Sequence, residues 1–270
     1  MVPSSDAARR EPVVGLAFGA LPFLFVVALP LLALLLFLDP REALGHLRSA
    51  TALRALFLTL RTTTIATVVC AAIGIPMALL LARRRFPGRV LLDTIVDLPI
   101  AVPPVVAGVA LLLTFGRFGL LGRTLDILGI HVPFTSTAVV LAQVFMASPF
   151  LVRSARAGFA AVDPKLEQAA RTLGAGEARV VRTVTIPLAF PSLAAGLVLT
   201  WARALSEFGA TITFAGNFPG RTQTLPLAVM SALESDLPTA VAISALSLVL
   251  AAAALLLTRM LAHRASLPGF

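Results

Sequence analysis

Six long stretches of this 270-residue chain contain no charged side chain. Each is close to the roughly 20 apolar residues that a helix needs to cross a bilayer. Charged residues make up 13% of the chain, about half the share that is usual in soluble domains. We therefore predict an all-α integral membrane protein with six transmembrane helices. The stretches are Val13–Leu38, Thr62–Ala82, Leu98–Phe115, Val132–Val152, Ile186–Ala202 and Leu237–Thr258.

The first and third stretches each carry a further signal. Val13–Leu38 follows two arginines, as the apolar core of a signal peptide does, but it exceeds the roughly 7–15 residues of such a core. We interpret it as a retained first helix. The third stretch contains Pro99, Pro103 and Pro104, which predict a bent or broken span.

Lysines and arginines are unequally divided between the two sides that six spans define. Fourteen fall on the side of the termini, the second loop and the fourth loop, and seven fall on the other side. Because positive charge concentrates on the cytoplasmic side, both termini and the fourth loop are predicted to be cytoplasmic. The net charge of +9 does not indicate nucleic-acid binding, since the basic residues are dispersed between spans. The fourteen are Arg9, Arg10, Arg83, Arg84, Arg85, Arg89, Arg153, Arg156, Lys165, Arg171, Arg179, Arg182, Arg259 and Arg264; the seven, four of them in or beside the first external loop, are Arg41, Arg48, Arg54, Arg61, Arg117, Arg123 and Arg221.

The fourth loop has the sequence of a folded helix hairpin. Asp163 can cap a helix that starts at Pro164, where a missing N–H costs nothing. Four residues at helical spacing give this helix a narrow apolar face: Leu166, Ala169, Ala170 and Leu173. Such a face favours either a groove on a partner protein or a position on lipid headgroups.

The hairpin is predicted to turn at two glycines. Gly174 and Gly176 can end the first helix with positive φ. A second short helix from Glu177 to about Thr185 should then stop before Pro187.

The same segment resembles the EAA loop of binding-protein-dependent ABC importer permeases. The family pattern is E-A-A, three residues, G, nine residues, then I-x-L-P. This chain departs from it at Gln168, which replaces the first alanine, and in the order Ile-Pro-Leu. The resemblance extends from about residue 53 to 258, after an N-terminal tail (1–12) and a first helix with its external loop (13–52), and before a C-terminal tail (259–270). The matching residues are Glu167, Gln168, Ala169, Ala170, Gly174, Ile186, Pro187 and Leu188.

The resemblance implies a transporter subunit without catalytic residues, metal or cofactor of its own. The EAA loop would be a coupling helix that docks into a separate ATPase, with Glu167 pairing with a basic residue there. This chain has no phosphate-binding loop of the G-x-x-x-x-G-K-[ST] type, so two partner ATPase subunits would bind Mg-ATP. The implied assembly contains two copies of this chain in the cytoplasmic membrane of a prokaryote. An extracytoplasmic solute-binding protein would contact the loops at Gly116–Pro133 and Asn217–Asp236.

The segment after the fifth span resembles the oxyanion branch of the family, and molybdate permeases most. The matching runs are R-A-L-S-E-F-G-A from Arg203, F-A-G-N from Phe214 and T-Q-T-L-P-L from Thr222. Ser206 stands where the pattern has glycine. Sulfate permeases share parts of these runs, so sulfate and tungstate remain alternative substrates.

Arg203 and Glu207 are ionisable residues at the end of the fifth span, where charge is costly, and they are spaced i, i+4. One interpretation is a structural ion pair that holds spans five and three together, with Asp97 joining it. The other is that Arg203 supplies positive potential to an anion path. Neutral donors are further candidates for the path: Thr211, Thr213, Asn217 and Gln143.

Two other classes of membrane protein fit the sequence less well. An ion-coupled secondary transporter often has inverted repeats with broken helices in both halves, but this chain has one broken-span candidate and no evident repeat. A membrane-embedded enzyme would need clustered titratable side chains within its spans, and the three histidines lie outside them.

Overall fold

The computed structural model describes residues 11–37 and 39–266, which are almost entirely helical and contain no strand. The predicted N-terminal tail as far as Arg10, Leu38 and residues 267–270 lie outside them. The helices are α1 (Glu11–Leu36), α2 (Pro40–Leu47), α3 (Ala50–Arg83), α4 (Arg89–Ala101), α5 (Pro104–Phe115), α6 (Gly122–Ile127), α7 (Ser136–Ala161), α8 (Pro164–Thr172), α9 (Glu177–Val180), α10 (Ile186–Leu205), α11 (Gly209–Ala215), α12 (Leu225–Leu233) and α13 (Leu237–Ser266).

Four helical segments are long and apolar enough to cross a membrane singly: α3, α7, the continuous helix Glu177–Leu205 and α13. Two bent pairs raise the number to as many as six, as the sequence predicted. One pair is α1 with α2, bent by 87°. The other is α4 with α5, bent by 116° at the predicted proline break.

Helix α7 lies at the centre of the bundle. Its side chains belong to two apolar clusters, one with α5 and α11 around Phe214 and one with α3 and α10 around Phe159. A third cluster joins α3, α12 and α13 around Leu225. These clusters place the ends of α10 and α11 in the interior of the bundle.

Small residues bring α7 and α10 close together. A Cβ atom at Gly158 would come within 2.5 Å of the Ser192 Cβ, and one at Gly196 within 2.7 Å of the Ser154 Cβ. The Ser154 hydroxyl donates to the Ser192 carbonyl at 2.8 Å across the same contact. Close approach through small residues, reinforced by hydrogen bonds, is how helices associate in lipid.

The segment between α10 and α13 is more structured than the loop that the sequence suggested. It contains α11 and α12, and the turn between them is buried at Thr222, Gln223 and Thr224. The Thr59 hydroxyl of α3 accepts the Leu225 N–H at 2.8 Å, which fixes the start of α12. Helix α13 continues to Ser266, so residues 259–266 extend the last helix.

Candidate functional site

The hairpin between α7 and α10 has the predicted start and turn. The Asp163 carboxylate accepts the Lys165 N–H at 2.9 Å, and Pro164 is the first residue of α8. Gly174 has φ +85°, and its N–H and that of Ala175 close the helix end. The prediction for Gly176 was wrong, because its φ is −69° and it is the N-cap of α9.

The prediction that the second helix stops before Pro187 was also wrong. A π-helical turn over residues 181–185 joins α9 to α10, so that one helix runs from Glu177 to Leu205. In this wider turn the Ile186 N–H donates to the Val181 carbonyl, five residues back. Pro187 has no N–H and would break a regular α-helical ladder; the π turn changes the hydrogen bonding directly before it.

Glu167 turns its carboxylate toward its own chain. Its Oε1 accepts from Arg83 Nη2 at 2.6 Å and from the Thr185 hydroxyl at 2.8 Å, and the residue is 6% exposed. Arg171 Nη2 lies 3.8 Å from the second oxygen. The carboxylate thus joins the end of α3, the hairpin and the π turn. From the sequence we expected Glu167 to pair with a basic residue of a partner; in the structure its carboxylate pairs within the chain.

The rest of the hairpin faces outward. The exposed fraction is 49% at Leu166 and 89% at Leu173, and Gln168 and Ala169 are also exposed. Among the described residues, the predicted narrow apolar face is therefore largely uncovered, with only Ala170 half-buried. Of the remaining predicted residues, Pro187 and Leu188 are exposed, and Ile186 packs against the cluster around Phe159.

Arg203 and Glu207 form the predicted ion pair, with Arg203 Nη2 2.8 Å from Glu207 Oε2. Glu207 lies just beyond the end of α10, and its side chain is 1% exposed. Its second oxygen accepts the Ala210 N–H at 2.9 Å, in the first turn of α11. The pair therefore connects the end of α10 to the start of α11.

Asp97 does not join this pair, contrary to the sequence prediction. Its carboxylate accepts from Arg153 Nε at 2.7 Å, and Asp93 one turn earlier pairs with Arg156. Both contacts join α4 to α7. Asp97 therefore links α4, the first half of the broken span, to the central helix α7.

The neutral donors predicted for a path are divided among separate contacts. Gln143, fully buried in α7, donates to the Thr63 hydroxyl at 3.3 Å and to the Ala204 carbonyl at 3.2 Å. The Thr213 hydroxyl donates to the Gly209 carbonyl at 2.9 Å. Asn217 donates to the Ser231 hydroxyl at 2.8 Å.

Several buried side-chain oxygens have no hydrogen-bond partner among the described residues. They include Gln143 Oε1 and the hydroxyl of Thr211 near Glu207, together with Asn217 Oδ1 and the hydroxyls of Thr200 and Thr224. Unsatisfied polar atoms of this kind are uncommon in protein interiors. These unpartnered oxygens belong to α7, α10, α11 and the segment that leads into α12.

Sequence reasoning missed two residues that organise the hairpin. Arg83 was counted only as a positive charge at the end of a span, and Thr185 was one residue of a short helix. The Arg83–Glu167 contact joins residues 84 positions apart. A helical period carries no information on such a distant pairing.

A known protein family matches most of this chain. The family described as binding-protein-dependent transport system inner membrane component matches residues 74–267, which include the hairpin, Arg203 and Glu207. The chain belongs to this family. As an inner membrane component it is a multi-pass membrane protein, which agrees with its apolar helices.

The relatives of this inner membrane component include permease proteins of molybdenum and sulfate transport systems. It is 43% identical over 228 residues to the molybdenum transport system permease protein ModB of Mycobacterium tuberculosis, covering 84% of this chain and 86% of the relative. It is 46% identical over 183 residues to ModB of Escherichia coli K12, with 67% and 80% covered. The sulfate transport system permease protein CysT of Salmonella typhimurium is 40% identical over 194 residues, with 72% and 69% covered.

A solved structure supports the fold of this inner membrane component over its whole length. A chain of a bacterial alginate ABC transporter, in complex with alginate pentasaccharide-bound periplasmic protein, superposes with a TM-score of 0.74. The superposition covers 98% of each chain at 16% sequence identity. At that identity the likeness describes the fold alone.

Proposed function

We propose that this chain is the membrane-spanning subunit of an ATP-driven importer that carries molybdate into the cell. The observation that carries the proposal is the identity of 43% and 46% to two molybdenum permeases, which covers 86% and 80% of those proteins. Sulfate is the second candidate, because a sulfate permease is 40% identical over a smaller share of its length.

The hairpin is the proposed contact with the ATPase. Its outward face offers small and apolar side chains, and the docked partner would cover Leu166 and Leu173. Small residues such as Ala169 let two backbones approach closely. Because Glu167 is already paired within the chain, the partner would hold the hairpin through this face and not through that carboxylate.

Two copies of the chain would pair about a twofold axis, since one hairpin and one set of spans supply half of a pathway. Two ATPase subunits would bind Mg-ATP, and their closure would move both hairpins and so open the pathway to the other side. Arg203 at the end of α10 and the Thr211 hydroxyl in α11 would offer the anion hydrogen-bond donors in place of its hydration shell. Glu207 offsets the positive charge of Arg203, so the anion would be held weakly enough to leave.

A solute-binding protein would deliver the anion on the opposite side. The region 116–133 is suited to a protein contact because its apolar side chains are exposed, with Phe118 at 98%, Leu120 at 86% and Ile127 at 81%. In the second predicted loop the exposed positions are residues 218–221, Met230 and residues 233–236, since the turn between α11 and α12 and most of α12 are buried or half-buried.

Substrate choice can be measured as ATPase activity of the assembled transporter in proteoliposomes. With the cognate binding protein present, molybdate is expected to stimulate hydrolysis several-fold more than sulfate at equal concentration. Tungstate, a tetrahedral oxyanion of the same charge, is expected to act like molybdate. Stimulation by sulfate alone would replace molybdate by the second candidate.

Sidedness of the hairpin can be measured by labelling an introduced cysteine. The chain has one native cysteine, Cys70, which is fully buried and should stay unlabelled. In Gln168→Cys, a membrane-impermeant maleimide is expected to react only in inverted vesicles, because position 168 is exposed on the hairpin. Thr124→Cys, exposed in α6, should react only in right-side-out vesicles. Reaction of position 168 from outside the cell would contradict the proposed contact with an ATPase.

A further inference from the structure

A cleft of about 840 Å³ opens between the end of α3, the start of α4 and the hairpin. Five arginines and two glutamates are among the residues that line it. The glutamates are both paired: Glu167 with Arg83 at 2.6 Å, and Glu177 with Arg171 at 3.2 Å. The cleft therefore keeps an excess of positive charge at its remaining arginines, which are Arg84, Arg85 and Arg89.

These three arginines form no ion pair within the described part of the chain. Arg84 and Arg85 are exposed and Arg89 is half-buried. Membrane proteins commonly carry an excess of positive charge on their cytoplasmic side, so such an excess alone does not indicate a ligand. Three unpaired guanidinium groups around one concave site are a more specific sign of an anionic ligand, because their potentials add at one point.

The part of the cleft that α3 lines before Arg83 is apolar. Pro76, Leu79 and Leu80 precede Arg83 on the same face of α3, at positions i, i+3, i+4 and i+7. Leu80 is 40% exposed. From Pro76 to Arg83 the helix rises about 10 Å. The cleft is thus apolar toward the bilayer and basic at the end of the span, in the same order as an acyl chain and its headgroup.

We propose that this cleft binds an anionic phospholipid, with the headgroup phosphate on Arg84, Arg85 and Arg89 and an acyl chain on Pro76, Leu79 and Leu80. Basic pockets at the ends of membrane helices recognise anionic headgroups in this way. An acidic segment of a partner protein would satisfy the arginines but not the apolar wall. Because Glu167 and Arg171 of the hairpin also line the cleft, a bound lipid stabilises the hairpin against the end of α3.

The proposal is tested by native mass spectrometry of the transporter with its ATPase subunits, released from nanodiscs of phosphatidylcholine and phosphatidylglycerol. Wild type should retain phosphatidylglycerol selectively. Each of Arg84→Gln, Arg85→Gln and Arg89→Gln should weaken retention roughly fivefold, since one arginine near a charged surface contributes about 1 kcal/mol. Arg259→Gln, at an exposed arginine of α13 outside the cleft, is the matched control and should retain lipid as wild type does.

Two further arms separate a lipid from other occupants. Leu80→Gln should weaken phosphatidylglycerol retention without changing binding of soluble glycerol phosphate, because only the lipid uses the apolar wall. Inorganic phosphate should not displace the lipid. Three results would each overturn the proposal: wild-type retention in the variant that combines Arg84→Gln, Arg85→Gln and Arg89→Gln, displacement of the lipid by inorganic phosphate, or loss of the lipid when the ATPase subunits are added. Thermal unfolding of every variant verifies that it is folded.

Discussion

Glu167→Gln is expected to lower ATP-dependent uptake at least tenfold and to lower the unfolding temperature of the purified chain. The neutral side chain leaves Arg83 without its anion at the end of α3. Removing one partner of a buried pair costs about 3–5 kcal/mol. We expect roughly 2 kcal/mol here because the Arg83 side chain is 21% exposed. That corresponds to about a 30-fold shift in the equilibrium between the hairpin held against the end of α3 and the hairpin released from it.

Glu177→Gln is the matched control for this experiment. Glu177 also pairs with an arginine of the hairpin, but its side chain is 66% exposed. Exposed pairs contribute about 0–1 kcal/mol, so uptake should stay near the wild-type value. In Arg83→Gln with Glu167→Gln, two neutral amides replace the pair, and part of the lost stability should return. Wild-type uptake and stability in Glu167→Gln would show that the hairpin does not depend on this contact.

Glu207→Ala is expected to reduce the amount of folded protein in the membrane and to abolish uptake. Two contacts are lost together, since Arg203 becomes unpaired and the Ala210 N–H loses its acceptor. For a side chain that is 1% exposed, the combined cost is about 3 kcal/mol or more. Quantitative immunoblotting of membranes and uptake by proteoliposomes measure the two effects separately.

Two further variants separate the ion pair from the helix cap. Glu207→Gln keeps an oxygen that can accept the Ala210 N–H but loses the charge. The exchange of Arg203→Glu with Glu207→Arg restores an ion pair, but arginine has no acceptor for that N–H. If the cap dominates, Glu207→Gln should be the better folded of the two. If Arg203→Ala keeps wild-type expression and uptake, the pair is needed neither for assembly nor for gating.

Local signals in the sequence predicted local structure well. Asp163, Pro164 and Gly174 set the start and turn of the hairpin, because caps and positive φ depend on the residue itself. The proline break in the third span was predicted for the same reason. The prediction from Pro187 was wrong, since the helix continues through that proline, just as α3 and α7 continue through Pro76 and Pro149.

Long-range contacts could not be predicted from the sequence. Asp97 was grouped with Arg203 because both are charged residues near spans, but its partner is Arg153 on α7. The expected partner contact of Glu167 came from the resemblance, and its pairing with Arg83, 84 positions earlier in the chain, has no local signal in the sequence. Each of these pairings depends on how helices pack, which spacing along one helix does not encode.

The π turn at residues 181–185 also sets the direction in which the hairpin points. Successive residues of an α-helix are about 100° apart around its axis. The extra residue that a π turn holds therefore rotates everything on its far side by about that angle. Deleting a single amino acid there would leave both flanking helices intact and turn the hairpin about the helix axis to point in a different direction.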